Sequence, residues 1–174
     1  MDFKALEKIQ YGVYLIASAF DGQKSAFAAN SVIQVSADPV KIAVSVSKQN
    51  WTHELIEKSG ILSISAVSQS APFEFIGKFG FRSGKTADKF ENVEYKTFES
   101  GVPAVIQYAS AIFELKVIDK FDVESHSIFV GKVLNMEKLS EETTMTYEYY
   151  HKVKGGLTAK NAPTYIKKQT AIKN

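Results

Sequence analysis

The sequence predicts a mainly β protein with short helices, in which antiparallel strands close into a barrel. Several segments alternate apolar with small or polar residues, as in residues 42–47, where isoleucine and valine alternate with alanine and serine. Two long strand patterns follow one another between residues 108 and 139. Because the helical patterns between strands are short, a doubly wound parallel sheet is not expected.

The first part of the chain predicts a hairpin and a third strand. Apolar residues 11–20 precede the turn sequence DGQK, and residues 25–36 then form the second arm. Asp38-Pro39 ends that strand, and residues 41–47 form the next one.

A short helix is expected over residues 51–59. Asn50 is a favourable N-cap residue, Glu54 suits the positive end of the helix, and Gly60 supplies the stop. The small side chains of the preceding strand and the helix start beside Lys48 and Thr52 suit an anion, although most capped helices after strands bind no ligand.

The second half continues the sheet. Residues 61–68 read as a strand, and Pro72 begins a short helix in which three apolar residues recur at three-residue spacing. In the first of the two long strands one apolar face is expected opposite Glu114 and Lys116. Its members are Ala111, Phe113, Leu115 and Val117.

Composition limits the function classes. With 174 residues and 45% hydrophobic residues, the chain suits one domain over residues 1–174. A net charge of +2 gives no indication of nucleic-acid binding, and the absence of cysteine excludes disulfides, thiolate catalysis and cysteine-ligated metals. No secretory signal and no run of roughly 18 apolar residues occurs, so we expect a cytoplasmic protein without a membrane partner. Residues 165–174 are polar and basic, and we expect a loose or partner-docking tail there.

The loop GFRSGKT at residues 80–86 is not a nucleotide-binding P-loop. That motif requires four residues between the first glycine and the Gly-Lys pair, and this loop has three. Arg82, Ser83, Lys85 and Lys89 form a candidate phosphate clamp, and a solvated basic loop is the more common explanation of such a pattern.

Two other positions invite a functional reading. Asn30 and Ser31 interrupt a strand pattern, where they could hydrogen-bond a heterocycle or mark a bulge or strand end. His126 has no second histidine at metal-ligand spacing, so no metal site is predicted. The sequence also lacks the G-x-S-x-G motif of the serine hydrolases.

Four segments in order resemble the flavin reductase-like family of FMN-binding split barrels, in particular flavoredoxin, ferric reductase and the flavin domain of high-molecular-weight rubredoxins. They are AANSVIQVSADPVKIAVSVSKQNWTHELIEKSG, KFGFRSGKTADKF, SHSIFVGKV and YYHKVKGGLTAKNAPTY. The resemblance runs from about Ile9 to Tyr165 and implies a split antiparallel β-barrel.

The resemblance also implies site residues. Asn30 and Ser31 would approach the isoalloxazine edge, and His126 would be the catalytic residue beside the reactive face, where nicotinamide stacks. The remaining expected FMN contacts are the strand residues Ser45, Val46 and Ser47, the helix-start residues Asn50 and Thr52, and the phosphate ligands Arg82, Ser83 and Lys89. The segment from Gly155 to Tyr165 would close over the site.

The implied activity is that of an FMN-binding, NAD(P)H-dependent flavin reductase with NADH or NADPH as co-substrate, acting as a homodimer. A flavoredoxin-like carrier reduced by a partner protein and a non-redox flavin-binding module are the alternatives. Ala28, where relatives commonly have threonine, and Ser125 beside His126 permit the module. Without cysteine the iron site of some relatives is not expected, and any rubredoxin partner would be a separate protein.

Overall fold

A seven-stranded antiparallel sheet dominates the fold of this computed structural model, which describes residues 2–165. The sheet order is β2-β1-β5-β8-β9-β4-β3, and β6 and β7 pair separately. The strands are β1 (Tyr14–Phe20), β2 (Gln23–Ala29), β3 (Val32–Ala37), β4 (Val40–Ser47), β5 (Ile61–Val67), β6 (Tyr95–Thr97), β7 (Pro103–Val105), β8 (Ala109–Val123) and β9 (His126–Lys138). The tail expected at 165–174 lies, apart from Tyr165, outside the described residues.

The second arm of the predicted hairpin is two strands. β2 pairs with β1, whereas β3 pairs with β4, and the chain changes partner at Asn30 and Ser31. The Ser31 carbonyl accepts a hydrogen bond from the Ser45 amide at 3.0 Å, which ties the break to β4. The strand-end alternative for Asn30 and Ser31 is therefore correct, and it does not conflict with a binding role.

The sheet is a split barrel, and the expectation of full closure was wrong. β2 and β3 are the two edges of the sheet and do not pair with each other. The partner switch between them carries the chain from one half of the barrel to the other, so the opening lies beside the residues proposed to bind the cofactor.

Two bulges alter the predicted faces of the long hairpin. The β8–β9 register shifts at Glu114/Leu115 and again at Val117/Asp119. As a result the neighbouring residues Glu114 and Leu115 are both buried. The carboxylate of Glu114 accepts a hydrogen bond from Asn135 Nδ2 at 2.6 Å. A strict two-residue alternation does not anticipate this, since each bulge adds one unpaired residue.

The first two α-helices, α1 (Trp51–Ser59) and α2 (Phe73–Gly80), lie where the sequence predicts them. A third helix, α3 (Tyr147–Lys152), follows the long hairpin, and a 3-10 helix spans Phe3–Lys8. Gly60 ends α1 in the left-handed conformation, with its amide bonded to the Ile56 carbonyl at 2.9 Å. Asn50 occupies the N-cap position, but its side chain does not cap the helix.

One apolar cluster fills the barrel and a second one packs below α2. The barrel cluster includes Ile16, Val44, Val46, Leu115 and Phe129, each at most 1% exposed. Within residues 2–165 no helix is long and apolar enough to cross a membrane.

Candidate functional site

A continuous cleft runs between the β2–β4 side of the barrel, α2 and the chain after α3. It comprises two adjoining pockets of about 590 and 1040 Å³, both counted with their solvent-open space. Both pockets are lined by Phe27, Ala28, Asn50, Gly80, Phe81, Ala159 and Asn161.

Slim side chains line the first pocket on the strand side. Ser45 and Ser47 face it, together with Ala28 and Ala29. Val46 points the other way and is fully buried in the barrel. The alternation predicted for this strand is therefore present, and Val46 can serve a ligand only through its backbone. A mainly apolar pocket in which one wall has only small side chains suits a planar ring.

Asn30 and Ser31 lie at the partner switch between β2 and β3. Asn30 is 5% exposed and lines the first pocket. Its Oδ1 accepts a hydrogen bond from Ser31 Oγ at 3.0 Å, and its Nδ2 donates to Thr164 Oγ1 at 2.8 Å. The hydrogen bond from Ser31 holds the Asn30 side chain in place, and Ser31 is not one of the described residues that line the pocket.

The N-terminal end of α1 faces the second pocket. Asn50, Trp51 and Thr52 line it, and Thr52 Oγ1 donates a hydrogen bond to Ser25 Oγ at 3.1 Å. The positive end of the helix dipole favours an anion in this position. Lys48 turns away and pairs with Asp122 at 3.6 Å, so it does not join this end of the cleft.

The loop after α2 forms the opposite wall of the second pocket. Arg82, Ser83 and Gly84 line it. Gly84 lies against β2 so closely that a Cβ there would be 2.1 Å from Ser25 Oγ. The start of α1 and the loop residues Arg82 and Ser83 therefore flank the same space, which suits a phosphate.

Lys89 is the exception among the predicted phosphate ligands. It is 2% exposed and is not one of the described residues that line the cleft. Its Nζ donates hydrogen bonds to the carbonyls of Lys78, Phe79 and Arg82. The structure thus places its ammonium under the loop, on backbone oxygens.

His126 borders the first pocket through two of its neighbours. It pairs with Ser47 in the β4–β9 register, and its Nε2 lies 3.2 Å from the Asn161 carbonyl. Because a carbonyl only accepts, Nε2 carries the proton of this hydrogen bond. In the neutral ring Nδ1 then accepts from Ser125 Oγ at 2.9 Å.

The segment of residues 157–164, called the strap below, covers the cleft. Asn161 Nδ2 donates to Asn50 Oδ1, the Asn161 carbonyl accepts from His126, and Thr164 accepts from Asn30. The strap residues that line the first pocket are Leu157, Ala159, Asn161, Ala162 and Pro163. In the described part of the chain no buried side-chain nitrogen or oxygen lacks a hydrogen-bond partner.

Several residues of the cleft were not predicted individually from the sequence. Tyr147 and Tyr150 of α3 line the first pocket with Phe27 and Phe81. The three-residue spacing of the two tyrosines on a helix indicates a shared face, and that pattern was available. Asn161 and Thr164 lie in a segment without periodicity, and only the fold brings them to Asn50 and Asn30.

A hydrogen-bonded cluster lies behind the cleft. His53 Nε2 is 2.8 Å from Ser127 Oγ, which donates to Asp122 Oδ1 at 2.7 Å. Burial lowers the pKa of His53, and the nearby carboxylate of Glu57 only partly offsets this. Ser127 is fully buried, so the arrangement is not a nucleophilic site. Within residues 2–165 no group of three or more metal-ligating side chains occurs.

Comparison with known proteins agrees with this geometry. The sequence profile described as "Flavin reductase like domain" matches residues 6–158. Ferric-chelate reductase (NAD(P)H) of Archaeoglobus fulgidus is 42% identical over 166 residues, which are 95% of this chain and 98% of the relative. High molecular weight rubredoxin of Moorella thermoacetica is 41% identical over 165 residues, 95% of this chain and 72% of the relative.

The fold is also found in solved structures. Flavoredoxin from Methanosarcina acetivorans superimposes with a TM-score of 0.69 at 21% identity, over 78% of this chain and 74% of that one. At this identity the likeness concerns the fold alone. Taken with the profile match and the two closely similar relatives, the cleft and its split barrel identify the chain as a member of the flavin reductase-like family.

Proposed function

We propose that the protein is an FMN-binding, NAD(P)H-dependent oxidoreductase of the flavin reductase type, which passes electrons to a flavin, a metal or a protein acceptor. The observation that carries this proposal is the continuous cleft. One end is narrow and mainly apolar, and the other combines the start of α1 with Arg82. This order of surfaces matches a flat ring with an anionic tail.

The residues of the cleft fit FMN. Ser45 and Ser47 leave space for the ring, and Asn30 offers amide hydrogen-bonding groups at its edge. Thr52, Arg82, Ser83 and the backbone amides of the α1 start are the groups proposed to hold the phosphate. When bound, FMN supplies the redox chemistry, since its ring system accepts a hydride and releases electrons.

His126 is proposed to orient the nicotinamide. Its protonated Nε2 is directed toward the strap carbonyl of Asn161 at the edge of the first pocket. If the strap withdraws, this N–H becomes available to the carboxamide of a nicotinamide ring lying over the cofactor. No general acid or base is required for hydride transfer, so the role is placement.

The test is a spectrum followed by reduction. Purified protein, incubated with FMN and desalted, should keep the visible absorption of bound flavin, and anaerobic mixing with NADH or NADPH should bleach it. The His126→Ala variant should bind FMN normally and be reduced more slowly. Protein that stays colourless after incubation would refute the proposal.

A flavoredoxin-like carrier is the second candidate. The strap contact of His126 favours it, because the ring nitrogen proposed to meet nicotinamide is already hydrogen-bonded within the chain. A carrier would bleach negligibly with either nicotinamide nucleotide and readily with a reduced partner protein. A separate acceptor such as a rubredoxin is proposed, in view of the relative named high molecular weight rubredoxin.

We also propose a homodimer. The sheet face that carries Ser45 continues through its register partners Ile128 and Phe121 to the outer half of the long hairpin. Phe121 is 53% exposed, and Val123 and Ile33 on the same face are 50% and 64% exposed. An apolar surface adjoining the cleft suits a second copy of the chain. A cytoplasmic location stays a prediction.

A further inference from the structure

We propose that Lys89 is a positioning residue for phosphate binding: its buried ammonium fixes the loop that presents Arg82 and Ser83, and it does not contact the phosphate itself. The inference rests on the proposed function and deepens it, since it assigns different roles to two cations of the same loop.

The donor count of Lys89 carries the argument. An ammonium has three N–H groups and no acceptor. Lys89 Nζ donates to the Lys78 carbonyl at 2.7 Å, to the Phe79 carbonyl at 3.4 Å and to the Arg82 carbonyl. All three donors are therefore engaged with backbone, and none is left for a phosphate oxygen.

The acceptors show what Lys89 organises. Lys78 and Phe79 belong to the last turn of α2, where carbonyls lack intrahelical partners and the dipole is negative. Arg82 follows the helix, on the wall of the second pocket. One ammonium thus joins the end of α2 to the first residues of the loop and determines the direction in which the chain leaves the helix.

The rest of the loop depends on that direction. Ser83 begins a turn in which its carbonyl accepts hydrogen bonds from the amides of Thr86 and Ala87, at 3.2 and 3.1 Å. Gly84 then packs against Ser25 of β2. A shift of the Arg82 backbone would therefore move the side chains of both Arg82 and Ser83, which line the second pocket.

Among the described residues, the charges that act on the Lys89 ammonium are positive. Burial, and then the positive charges of Arg82 and Lys78, lower its pKa to about 8. Asp88, its neighbour in sequence, uses its carboxylate to accept the Phe90 amide at 2.8 Å. An anion bound near Arg82 would supply the missing negative charge and stabilise the protonated ammonium. Above pH 8 the free protein would hold an amine with two N–H groups for three carbonyls.

A double-mutant cycle on the full chain tests the proposal. Dissociation constants for FMN and riboflavin are measured by flavin fluorescence for wild type, Lys89→Met, Arg82→Ala and the double variant. Riboflavin lacks the phosphate and reports on the ring alone. Lys138→Met is the charge-matched control, because Lys138 ends β9, does not line the cleft and has a side chain that is 64% exposed.

We expect Lys89→Met and Arg82→Ala each to weaken FMN by about tenfold to a hundredfold, the range of one charge-assisted hydrogen bond. Riboflavin binding in these variants, and FMN binding in the Lys138→Met control, should change by less than about threefold. Because Lys89 acts through the loop that carries Arg82 and Ser83, the loss in the double variant should be smaller than the product of the two single losses. Losses that multiply in the double variant would show that Lys89 contacts the phosphate, and would overturn the proposal.

A pH profile keeps the proposal falsifiable if Lys89→Met does not fold. In wild type the preference for FMN over riboflavin should fall as the pH rises from 7 to 10, because Lys89, whose pKa is about 8, loses its charge over this range. A preference that stays constant over that range would contradict the proposal. Wild type that binds neither flavin would instead refute the proposed function, whereas binding of both without any effect of Lys89→Met refutes this inference alone.

Discussion

The contact between Gly84 and Ser25 gives the sharpest prediction for the cleft. In Gly84→Ala the new Cβ would lie 2.1 Å from Ser25 Oγ and 3.1 Å from Ser25 Cβ, whereas ordinary contacts begin at 3.4 Å. Ser25 is 1% exposed and accepts the Thr52 hydroxyl, so it has little room to yield. The loop must therefore move away from β2 by about 1.3 Å, the difference between these distances.

That displacement can be expressed as a loss of affinity. Overpacking of a tight contact costs about 1–3 kcal/mol of folding free energy. If FMN draws the loop back to its wild-type position, this strain appears on binding and corresponds to about fivefold to 150-fold in the dissociation constant. The loss should concern FMN and spare riboflavin, because the displaced loop carries Arg82 and Ser83 at the phosphate end. Fluorescence titration with both flavins measures the two constants.

Two comparison variants complete the experiment. Gly80→Ala also adds a methyl group beside the cleft, but its Cβ would lie 3.8 Å from Ala28 Cβ, an ordinary contact, so FMN preference should be unchanged. Ser25→Ala in combination with Gly84→Ala removes the 2.1 Å contact and should restore part of the affinity. If Gly84→Ala binds FMN as wild type does, or loses both flavins equally, the loop does not hold the phosphate.

Three further predictions concern the dimer, the buried histidine and the core. Phe121→Asp should shift the protein from dimer to monomer in light scattering, and an unchanged mass would argue against the outer sheet face as the interface. Because burial lowers the pKa of His53 below that of the unfolded chain, the unfolded state binds more protons in this range, so stability should be complete above about pH 6.5 and decline as the pH falls. Thermal melts from pH 8 to 5 should show a smaller decline in His53→Gln, and an identical decline would exclude His53 as its source. Leu115→Ala, at a fully buried site, should cost about 2–5 kcal/mol in urea unfolding, whereas Ile118→Ala on the same strand, 49% exposed, should cost much less.

Local pattern predicted much of the fold. The first hairpin, the helix after Asn50, the Gly60 stop and the long β8–β9 hairpin follow from alternation, turn residues and capping preferences. The bulges near Glu114 do not follow, and the pattern at Asn30 indicates a strand end without showing that the next strand pairs elsewhere. Both features depend on which strand pairs with which, and local sequence does not encode that.

The sequence also predicted which residues lie together. The residues that line the cleft include Ser45, Ser47, Asn50, Thr52, Arg82 and Ser83. Their contact with FMN stays a prediction. The motif could not distinguish a cation that faces the ligand from one that faces backbone, as Lys89 does. Burial and the count of available donors decide that difference, and both require coordinates.

The strap determines how an incoming molecule must bind. Asn30, Asn50 and His126 already have partners in residues 161–164. A ligand that binds these three side chains therefore replaces their hydrogen bonds to the strap, and the total number of hydrogen bonds stays nearly constant. The affinity measured at this end of the cleft will therefore be the difference between the binding of the ligand and the binding of the strap. Ending the chain before Asn161 would change that affinity without changing any residue of the barrel wall.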